Sequence, residues 1–519
     1  MKKVWKGAAA VVAALSLGVT GFVGAGTAMA APTRTGQITV NDGDTHTYAI
    51  YQLATGDVVS AENGLGGTLS NAVAGTNFNG NDIVAALEAI KNGSTDIQKA
   101  NIAAGYLKAD TVQAPVANIT ADNQTATGLT SGYYLIKDTT PNASLAYGET
   151  HNRYVLVLVG DKNNTIKVTS KRDSVTSEKK VKDGTKSWND ATDVNIGDTV
   201  EFRLMGTLPA NYSEYSYFKY NFSDTLSKGL NFNGKVEVYV GEKGSQGAKD
   251  ITSYFEVTPG AAVTTAPTGD TAIAINAKAG ADNKYLKAIE GLTATSKIFV
   301  YYSATLNENA VIGEAGNPNT MHLEYTSHPS EDKMGKTTED KVKVFTFELD
   351  IFKTFNGTTP GSNDLPKFTL YKKGADGAYT AYTSTKEPKA EKAVTPQQNG
   401  SSTSYVLDYK GLKAGEYKLV ETHVPAGYNK ADDVVFTINA DEHSTEAVEP
   451  VLTKLEVLSF TGATVDKSSG IISGTIVNNK GSELPSTGGM GTVVLYTVGG
   501  LIVLIAGVGL AVALRRRQA

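Results

Sequence analysis

The chain has 519 residues, too many for one ordinary domain, and at roughly 150 residues per domain its length predicts about three. A formal net charge of −5 is small for this length, so nothing in the charge indicates nucleic-acid binding. There is no cysteine, so disulfides cannot stabilise the domains. Abundant glycine and tyrosine, with few long helical periodicities, favour antiparallel β domains with many turns.

The N-terminus has the pattern of a secretory signal peptide. Three lysines lie among the first six residues, residues 8–23 are mostly apolar, and AMA at 28–30 is a small-x-small cleavage site. We therefore predict export, with residues 1–30 removed and Ala31 as the first mature residue. A retained N-terminal anchor is the alternative.

Residues 31–170 are predicted to form the first domain. Its opening stretch GQITVNDGDTHTYAIYQLATG alternates as a β-hairpin does, with Ile38, Val40, Tyr48 and Tyr51 directed inward.

A helical insertion is predicted within that domain. NDIVAALEAIKNG places Ile83, Leu87 and Ile90 on one face, with Asn81 as the candidate cap and an end before Gly93. A second, shorter helix is predicted around TDIQKANIAAGYL.

Two further β domains follow, at 171–340 and 341–482. Strand-like segments of the middle domain are DTVEFRLMGTLP, KVEVYVG, KIFVYYSATL and MHLEYTSHP, at the spacing typical of a sandwich. The last domain has FELDIFKTF, KFTLYKK, EYKLVET, DVVFTINA and ISGTIVNNKG. GLTSGYYLIKDTTP in the first domain and GLKAGEYKLVETHVP in the last share one frame, in which Asp138 and Glu421 are equivalent.

Motifs of conventional enzymes are absent from the sequence. It has six dispersed histidines, no G-x-S-x-G, no H-E-x-x-H and no phosphate-binding loop. His322 and His423 are interpreted as ordinary strand or loop residues. We therefore predict no enzyme activity, no cofactor and no metal.

The last domain contains a lysine in an apolar row. FELDIFKTF alternates so that Lys353 shares one face with three apolar residues, although burying an ammonium group is unfavourable. Asn478 follows an apolar strand and Glu421 follows an aromatic one, so the three side chains can meet in one core. The alternative is a lysine whose amine reaches solvent at the sheet edge.

If the lysine, the acid and the asparagine lie side by side in one core, an amide bond between the lysine and the asparagine can form. Desolvation lowers the pKa of a lysine towards a neutral nucleophile and raises the pKa of a carboxyl group, which can then hold a proton. Beside an asparagine carboxamide, the acid polarises the carbonyl, the amine attacks, and ammonia leaves.

The middle domain offers a similar set. Lys179 shares a face with Val175, Ser177 and Val181, Asn319 shares one with an apolar row, and Asp224 lies near a predicted turn. The first domain has no lysine between Lys6 and Lys91, so no such bond is predicted there.

The C-terminus combines a turn-forming pentapeptide with an apolar run. Leu484, Pro485, Ser486, Thr487 and Gly488 precede 24 uncharged residues at 491–514, enough to cross a bilayer as a helix, and three arginines follow. The arginines predict a cytoplasmic end, so the rest of the chain lies outside the cell.

This ending resembles the cell-wall sorting signal of Gram-positive surface proteins, and the whole chain resembles three-domain major pilins, the fimbrial shaft subunits assembled by class C sortases. YKLVETHVPAGY is similar to the E-box of collagen-adhesin B-type domains. The resemblance implies an all-β fold of tandem immunoglobulin-like sandwiches, related to collagen-adhesin B-type and A-type domains.

The resemblance to major pilins also implies how the subunits are joined. Sortase would cleave between Thr487 and Gly488 and transfer Thr487 to a lysine of the next subunit. In the family that lysine usually follows Val-x-x, with Tyr-Pro before it. The matching segment IKVTSKRD selects Lys171 but has Thr-Ser in place of Tyr-Pro, which leaves Lys167 and Lys162 as alternatives.

Residue roles follow from the same resemblance. Each of the last two domains would hold one lysine–asparagine bond promoted by an acid, and the sets are Lys179, Asn319 and Asp224, and Lys353, Asn478 and Glu421. Lys180 and Asn479 are one-residue alternatives that alternation places on the opposite face.

Implied partners are a class C sortase, identical subunits, a housekeeping sortase with peptidoglycan, and tip or accessory pilins. The precursor would be held in the plasma membrane by its C-terminal helix. The alternative function is a monomeric wall-anchored adhesin, or an accessory or tip pilin.

Overall fold

The structure is a computed structural model. It describes residues 35–40, 45–60, 67–141, 144–160, 165–168, 172–182, 184, 187–329, 331–384, 386–400, 402–443 and 449–481. The predicted signal peptide, Lys162, Lys171, the pentapeptide 484–488 and the apolar run 491–514 lie outside these residues. Among the described residues, no helix has the length and hydropathy needed to cross a bilayer.

The first part of the chain contains most of the helical structure. Its elements are β1 (Thr35–Val40), β2 (Tyr48–Ser60), β3 (Gly67–Ala74), α1 (Ile83–Lys91), α2 (Asp96–Ala104), β4 (Ala117–Ile119), β5 (Thr125–Thr130), β6 (Gly132–Asp138), β7 (Glu149–His151), β8 (Tyr154–Val159) and β9 (Thr165–Val168). They form one sheet in the order β5-β1-β9 and another in the order β3-β2-β6-β8, with β4 beside β2.

The predicted opening hairpin is wrong. β1 pairs with β5 and, in parallel, with β9, whereas β2 pairs with β3, β4 and β6. The alternating pattern arises because both strands contribute to one core between two sheets, where Ile38, Val40 and Tyr48 are buried together. Tyr51 is also buried, so the predicted inward positions are correct.

Both predicted helices form. The carboxylate of Asp82, and not the predicted Asn81, caps α1 by accepting from the backbone N–H groups of Val84 and Ala85. Leu87 and Ile90 are buried as predicted. Thr95 caps α2 in the same way.

The middle part is a two-sheet β structure. Its strands are β10 (Arg172–Ser174), β11 (Ser177–Lys182), β12 (Ala191–Asp193), β13 (Thr199–Thr207), β14 (Tyr220–Leu226), β15 (Leu230–Val240), β16 (Lys249–Asp250), β17 (Phe255–Thr258), β18 (Thr271–Ala277), β19 (Lys297–Leu306), β20 (Asn317–His328), β21 (Glu331–Lys336) and β22 (Asp340–Phe345). One sheet has the order β11-β13-β19-β15-β16, and the other contains β20-β14-β18-β17 with β21 beside β20. β10 pairs with β7.

The last part is also built from two sheets. Its strands are β23 (Phe347–Asn356), β24 (Lys367–Lys373), β25 (Tyr379–Ala381), β26 (Glu391–Ala393), β27 (Thr395–Asn399), β28 (Ser402–Leu412), β29 (Gly415–His423), β30 (Val434–His443), β31 (Val451–Leu458), β32 (Thr464–Asp466) and β33 (Ile471–Asn479). Their orders are β27-β28-β23-β33-β32 and β25-β24-β29-β30-β31, with β26 beside β24. First and last strands, β23 and β33, are parallel neighbours.

Cα proximity divides the chain into two compact units. The first comprises residues Met1–Ala191, Thr199–Thr305 and Pro318–Lys343, and the second comprises the remainder. The all-β fold with a small helical insertion confirms the predicted fold class. The division into three domains at 171 and 341 remains a prediction.

Candidate functional site

Lys179, Asp224 and Asn319 meet in the core of the middle sandwich. Lys179 lies on β11 in one sheet, and the other two residues lie on paired strands β14 and β20 of the facing sheet. All three are 1% exposed or less. Asp224 lies on β14, two residues before the strand ends at a turn, as predicted, and the alternation of β14 directs it inward.

Tyr302 on β19 is the centre of their hydrogen-bond network. Lys179 Nζ donates to Asp224 Oδ2 over 2.5 Å and to Tyr302 Oη over 3.1 Å. The Tyr302 hydroxyl donates to the same Asp224 oxygen over 2.8 Å, and Asn319 Nδ2 donates to Tyr302 Oη over 2.6 Å. One hydroxyl thus holds amine, acid and carboxamide together.

Burial sets the electrostatics of this site. Desolvation lowers the pKa of Lys179, and the Asp224 carboxylate only partly offsets it. Burial also raises the pKa of Tyr302 well above its ordinary value, so its hydroxyl keeps its proton. Asp224 Oδ1 and Asn319 Oδ1 are buried without a hydrogen-bond partner among the described residues.

Lys353, Glu421 and Asn478 are likewise buried together in the last sandwich. Lys353 and Asn478 lie on the parallel neighbours β23 and β33, where Asn478 pairs with Phe355, two residues beyond the lysine. Glu421 comes from β29 in the facing sheet. Asn478 Nδ2 donates to Glu421 Oε2 over 3.1 Å and to the carbonyl of Asn429 over 2.6 Å.

The amine of Lys353 is held by backbone groups. Its Nζ donates to the carbonyls of Thr354 and Ile476, over 2.9 and 3.0 Å, and lies 4.9 Å from the ring centre of Phe355. Burial lowers its pKa to about 8, against the opposing charge of Glu421. A substantial fraction of this lysine is therefore a neutral amine just above neutral pH.

Both sites combine a lysine, an acid and an asparagine, but the asparagine comes from a different sheet in each. In both, the acid belongs to the sheet that faces the lysine. Asn319 belongs to the acid's sheet, whereas Asn478 belongs to the lysine's sheet. Each site brings together a desolvated amine, a carboxamide and a buried acid, the groups needed for an amine to displace ammonia from an amide.

The remaining predicted positions are placed as follows. Lys180 is half-buried beside Asp190 and Asn479 is exposed, so neither one-residue alternative reaches a core. Lys167 is exposed on β9.

Sequence reasoning missed two features. Nothing in the local pattern distinguishes Tyr302 from the other aromatic strand residues. The histidines were interpreted as dispersed, yet three of them meet beside Asp138, because strand pairing joins segments that are far apart in sequence.

Comparison with known proteins assigns three segments to families. Residues 196–329 match a Gram-positive pilin backbone subunit 2, Cna-B-like domain, and residues 362–450 match a prealbumin-like fold domain. Residues 476–519 match an LPXTG cell wall anchor motif.

A curated relative is the trypsin-resistant surface T6 protein of Streptococcus pyogenes serotype M6. It is 23% identical over 376 residues, which are 62% of this chain and 65% of that protein.

Similar solved structures include the T6 backbone pilin of S. pyogenes, with a TM-score of 0.49, 15% identity and coverage of 86% of this chain and 99% of that one. The major pilin SpaD of Corynebacterium diphtheriae has a TM-score of 0.47, 16% identity and coverage of 86% of this chain and 98% of that one.

The domain matches confirm the resemblance to Gram-positive backbone pilins. This chain carries a pilin-backbone domain, a prealbumin-like domain and an LPXTG anchor motif, in that order.

Proposed function

We propose that this chain is the repeating structural subunit of a covalently polymerised pilus, and that it serves as a substrate of sortase and not as an enzyme. The observation that carries the proposal is the presence, on one chain, of a backbone-pilin domain and a cell-wall anchor motif. The buried lysine–acid–asparagine sets support it, because a shaft under tension needs domains that cannot unfold from their ends.

Polymerisation would proceed through two chain positions. A class C sortase would cleave after Thr487 and hold its carbonyl as an acyl-enzyme until an amine of the next subunit displaces the enzyme. Lys171 is the proposed amine, with Lys167 and Lys162 as alternatives. A housekeeping sortase would finally join the polymer to peptidoglycan, and tip or accessory pilins would complete the fibre, which supports adhesion.

Within each subunit, two autocatalytic bonds would form once. The neutral amine of Lys179 attacks the carboxamide carbon of Asn319 while Asp224 donates a proton to the amide oxygen. The new amide retains the lysine nitrogen, and ammonia leaves with the asparagine nitrogen. Lys353, Asn478 and Glu421 react in the same way.

Co-expression with the cognate pilin sortase tests the polymer. We expect a ladder of species that survives boiling in SDS, and its loss when Thr487→Ala removes the acyl donor. Lys171→Ala should also abolish the ladder, whereas Lys167→Ala, a nearby exposed lysine, should leave it intact. A ladder that persists without Lys171 would transfer the acceptor role to another lysine.

A chain that is anchored to the wall but gives no ladder would contradict the shaft assignment. It would favour the alternative, a monomeric wall-anchored adhesin or an accessory or tip pilin, because the anchor motif suits all of these proteins.

A further inference from the structure

Three histidines and an aspartate converge in the interior of the first compact unit. His46 precedes β2, Asp138 ends β6, His151 ends β7 and His328 ends β20. Each is 3% exposed or less. His46 Nδ1 lies 2.6 Å from Asp138 Oδ2, His151 Nε2 lies 3.6 Å from that same oxygen, and the Nε2 atoms of His151 and His328 are 2.9 Å apart.

Three of the four side chains have an outer atom with a partner of its own, whereas His151 Nδ1 is buried without a hydrogen-bond partner among the described residues. His46 Nε2 lies 3.0 Å from Glu149 Oε1. Asp138 Oδ1 accepts from the backbone N–H of Thr140 over 2.9 Å, which leaves Oδ2 directed at the histidines.

The tautomer of His328 follows from its neighbour. Ser327 Oγ donates to the carbonyl of Lys333 over 3.2 Å, so it can accept from His328 Nδ1, 2.8 Å away. A neutral His328 that donates through Nδ1 presents the lone pair of Nε2 to His151. His46 lies between two carboxylates, with Nε2 towards Glu149 and Nδ1 donating to Asp138 Oδ2, so an ion at this site would replace the proton on Nδ1. Such outer partners, which fix ring orientation and tautomer, are typical of metal-binding histidines.

We propose that His46 Nδ1, Asp138 Oδ2, His151 Nε2 and His328 Nε2 are the ligands of a buried structural site for a divalent transition metal, with Zn²⁺ as the preferred ion. Three imidazole nitrogens and one carboxylate oxygen are a zinc donor set, and four protein ligands close the coordination shell. Ca²⁺ and Mg²⁺ require oxygen ligands and do not suit three nitrogens.

The spacing of the ligand atoms supports this assignment. Tetrahedral bonds of about 2.0–2.1 Å place ligand atoms roughly 3.3 Å apart. The ligand atoms of His46, Asp138 and His151 all lie within 4.8 Å of one another, and the two separations at Asp138 Oδ2, 2.6 and 3.6 Å, lie on either side of that value. His328 Nε2 is 2.9 Å from His151 Nε2 but outside that group of three, so its ring must move further than the others to complete the coordination shell. The ring planes are steeply inclined, at 84° for His46 with His151 and 69° for His151 with His328, so the rings approach by their edges and do not stack.

The location gives the metal a mechanical role. Asp138 holds, in the first domain, the position that Glu421 holds in the last, yet the opening strands of that domain contain no lysine to form a crosslink. Metal bonds would tie β6 and β7 to the end of β20 instead. His151 also pairs with Arg172, the residue that follows the proposed acceptor Lys171, so the ion would stiffen the strand next to the acceptor.

Metal content of the secreted chain tests the proposal. We would express it in minimal medium containing Zn²⁺ or Co²⁺ as the added transition metal and purify it without chelators. We expect close to one ion per chain by elemental mass spectrometry, the visible absorption of tetrahedral Co²⁺ in the cobalt form, and a fall of several degrees in Tm after treatment with dipicolinate.

Variants separate the site from adventitious binding. His151→Asn and His328→Asn should remove the ion and the cobalt absorption, whereas His322→Asn, an exchange on the same strand outside the cluster, should keep both. Ser327→Ala retains all four ligands and should weaken binding about 10–100-fold, which keeps the test available if a ligand variant fails to fold. Wild-type metal content no higher than that of His328→Asn, with no cobalt absorption, would overturn the proposal and leave a hydrogen-bonded cluster only.

Discussion

Asn478 donates its amide hydrogen to Glu421 Oε2 over 3.1 Å, while Asn478 Oδ1 and Glu421 Oε1 are both buried without a hydrogen-bond partner among the described residues. The acid and the carboxamide are thus held in contact, which is the arrangement that the proposed attack of Lys353 on Asn478 requires. A buried acceptor oxygen without a hydrogen-bond partner is unfavourable. Asp224 and Asn319 repeat the pattern in the middle sandwich.

The first prediction concerns mass. Because each bond releases ammonia, the intact mass of the secreted ectodomain should fall below its calculated mass by two ammonia molecules. Asn319→Ala and Asn478→Ala should each reduce that deficit by one.

The neighbouring exchanges Lys180→Ala and Asn479→Ala serve as controls, since their side chains lie outside the two cores. They should leave the deficit at two. A wild-type ectodomain with its full calculated mass would refute both crosslinks.

Tyr302 gives the second prediction. Tyr302→Phe keeps the ring but removes the hydroxyl that bonds Lys179, Asp224 and Asn319. A hydrogen bond to a charged group contributes about 1.5–3 kcal/mol, so the crosslinking rate should fall about 10–100-fold. Mass spectra at successive times after expression should show a persistent uncrosslinked fraction.

Tyr301→Phe is the matched control, because the adjacent hydroxyl accepts instead from the backbone N–H of Lys243 and contacts none of the three residues. Equal crosslinking in the Tyr301 and Tyr302 variants would contradict a positioning role for Tyr302.

Alternation along a strand explains which of these residues could be predicted. Period-two patterning fixes the face of each side chain, so Lys179, Lys353 and Asn319 could be assigned inward before any fold was known. Strand pairing depends on contacts between distant segments, and local pattern does not encode it. For this reason the β1–β2 hairpin was wrong, and Tyr302 and the meeting of His46, His151 and His328 were missed.

Glu421→Gln is the third prediction and concerns stability. Glutamine can still accept the backbone hydrogen bond from Ala431 but cannot carry the catalytic proton, so the bond between β23 and β33 should not form. By analogy with a disulfide that closes a long loop, the crosslink contributes about 4 kcal/mol.

Its loss should lower the melting temperature of the last sandwich by roughly 10 °C, measured by calorimetry. Glu416→Gln, an exchange of a more exposed glutamate on the same strand, should change it little. An unchanged transition in Glu421→Gln would mean that the crosslink, or the role of Glu421 in forming it, is absent.

The last prediction uses the pKa of Lys353. In Asn478→Ala the carboxamide is gone and the lysine stays an amine, with a pKa near 10.5 in the unfolded chain and about 8 in the folded one. Between these values the unfolded chain binds more protons, so the free energy of unfolding should rise as pH increases from 8 to 10. Well below pH 8 both states are protonated, and this group contributes little pH dependence there.

Urea unfolding at pH 7, 8, 9 and 10 measures the effect, with Asn478→Ala/Lys353→Met as the reference in which other titrating groups are unchanged. The difference in unfolding free energy between the two proteins should change little from pH 7 to 8 and then increase more steeply in favour of the lysine protein up to pH 10. Parallel pH profiles up to pH 10 would mean that Lys353 is solvated in the uncrosslinked fold. It would then remain an ammonium ion near neutral pH, and the proposed attack on Asn478 would lack its nucleophile.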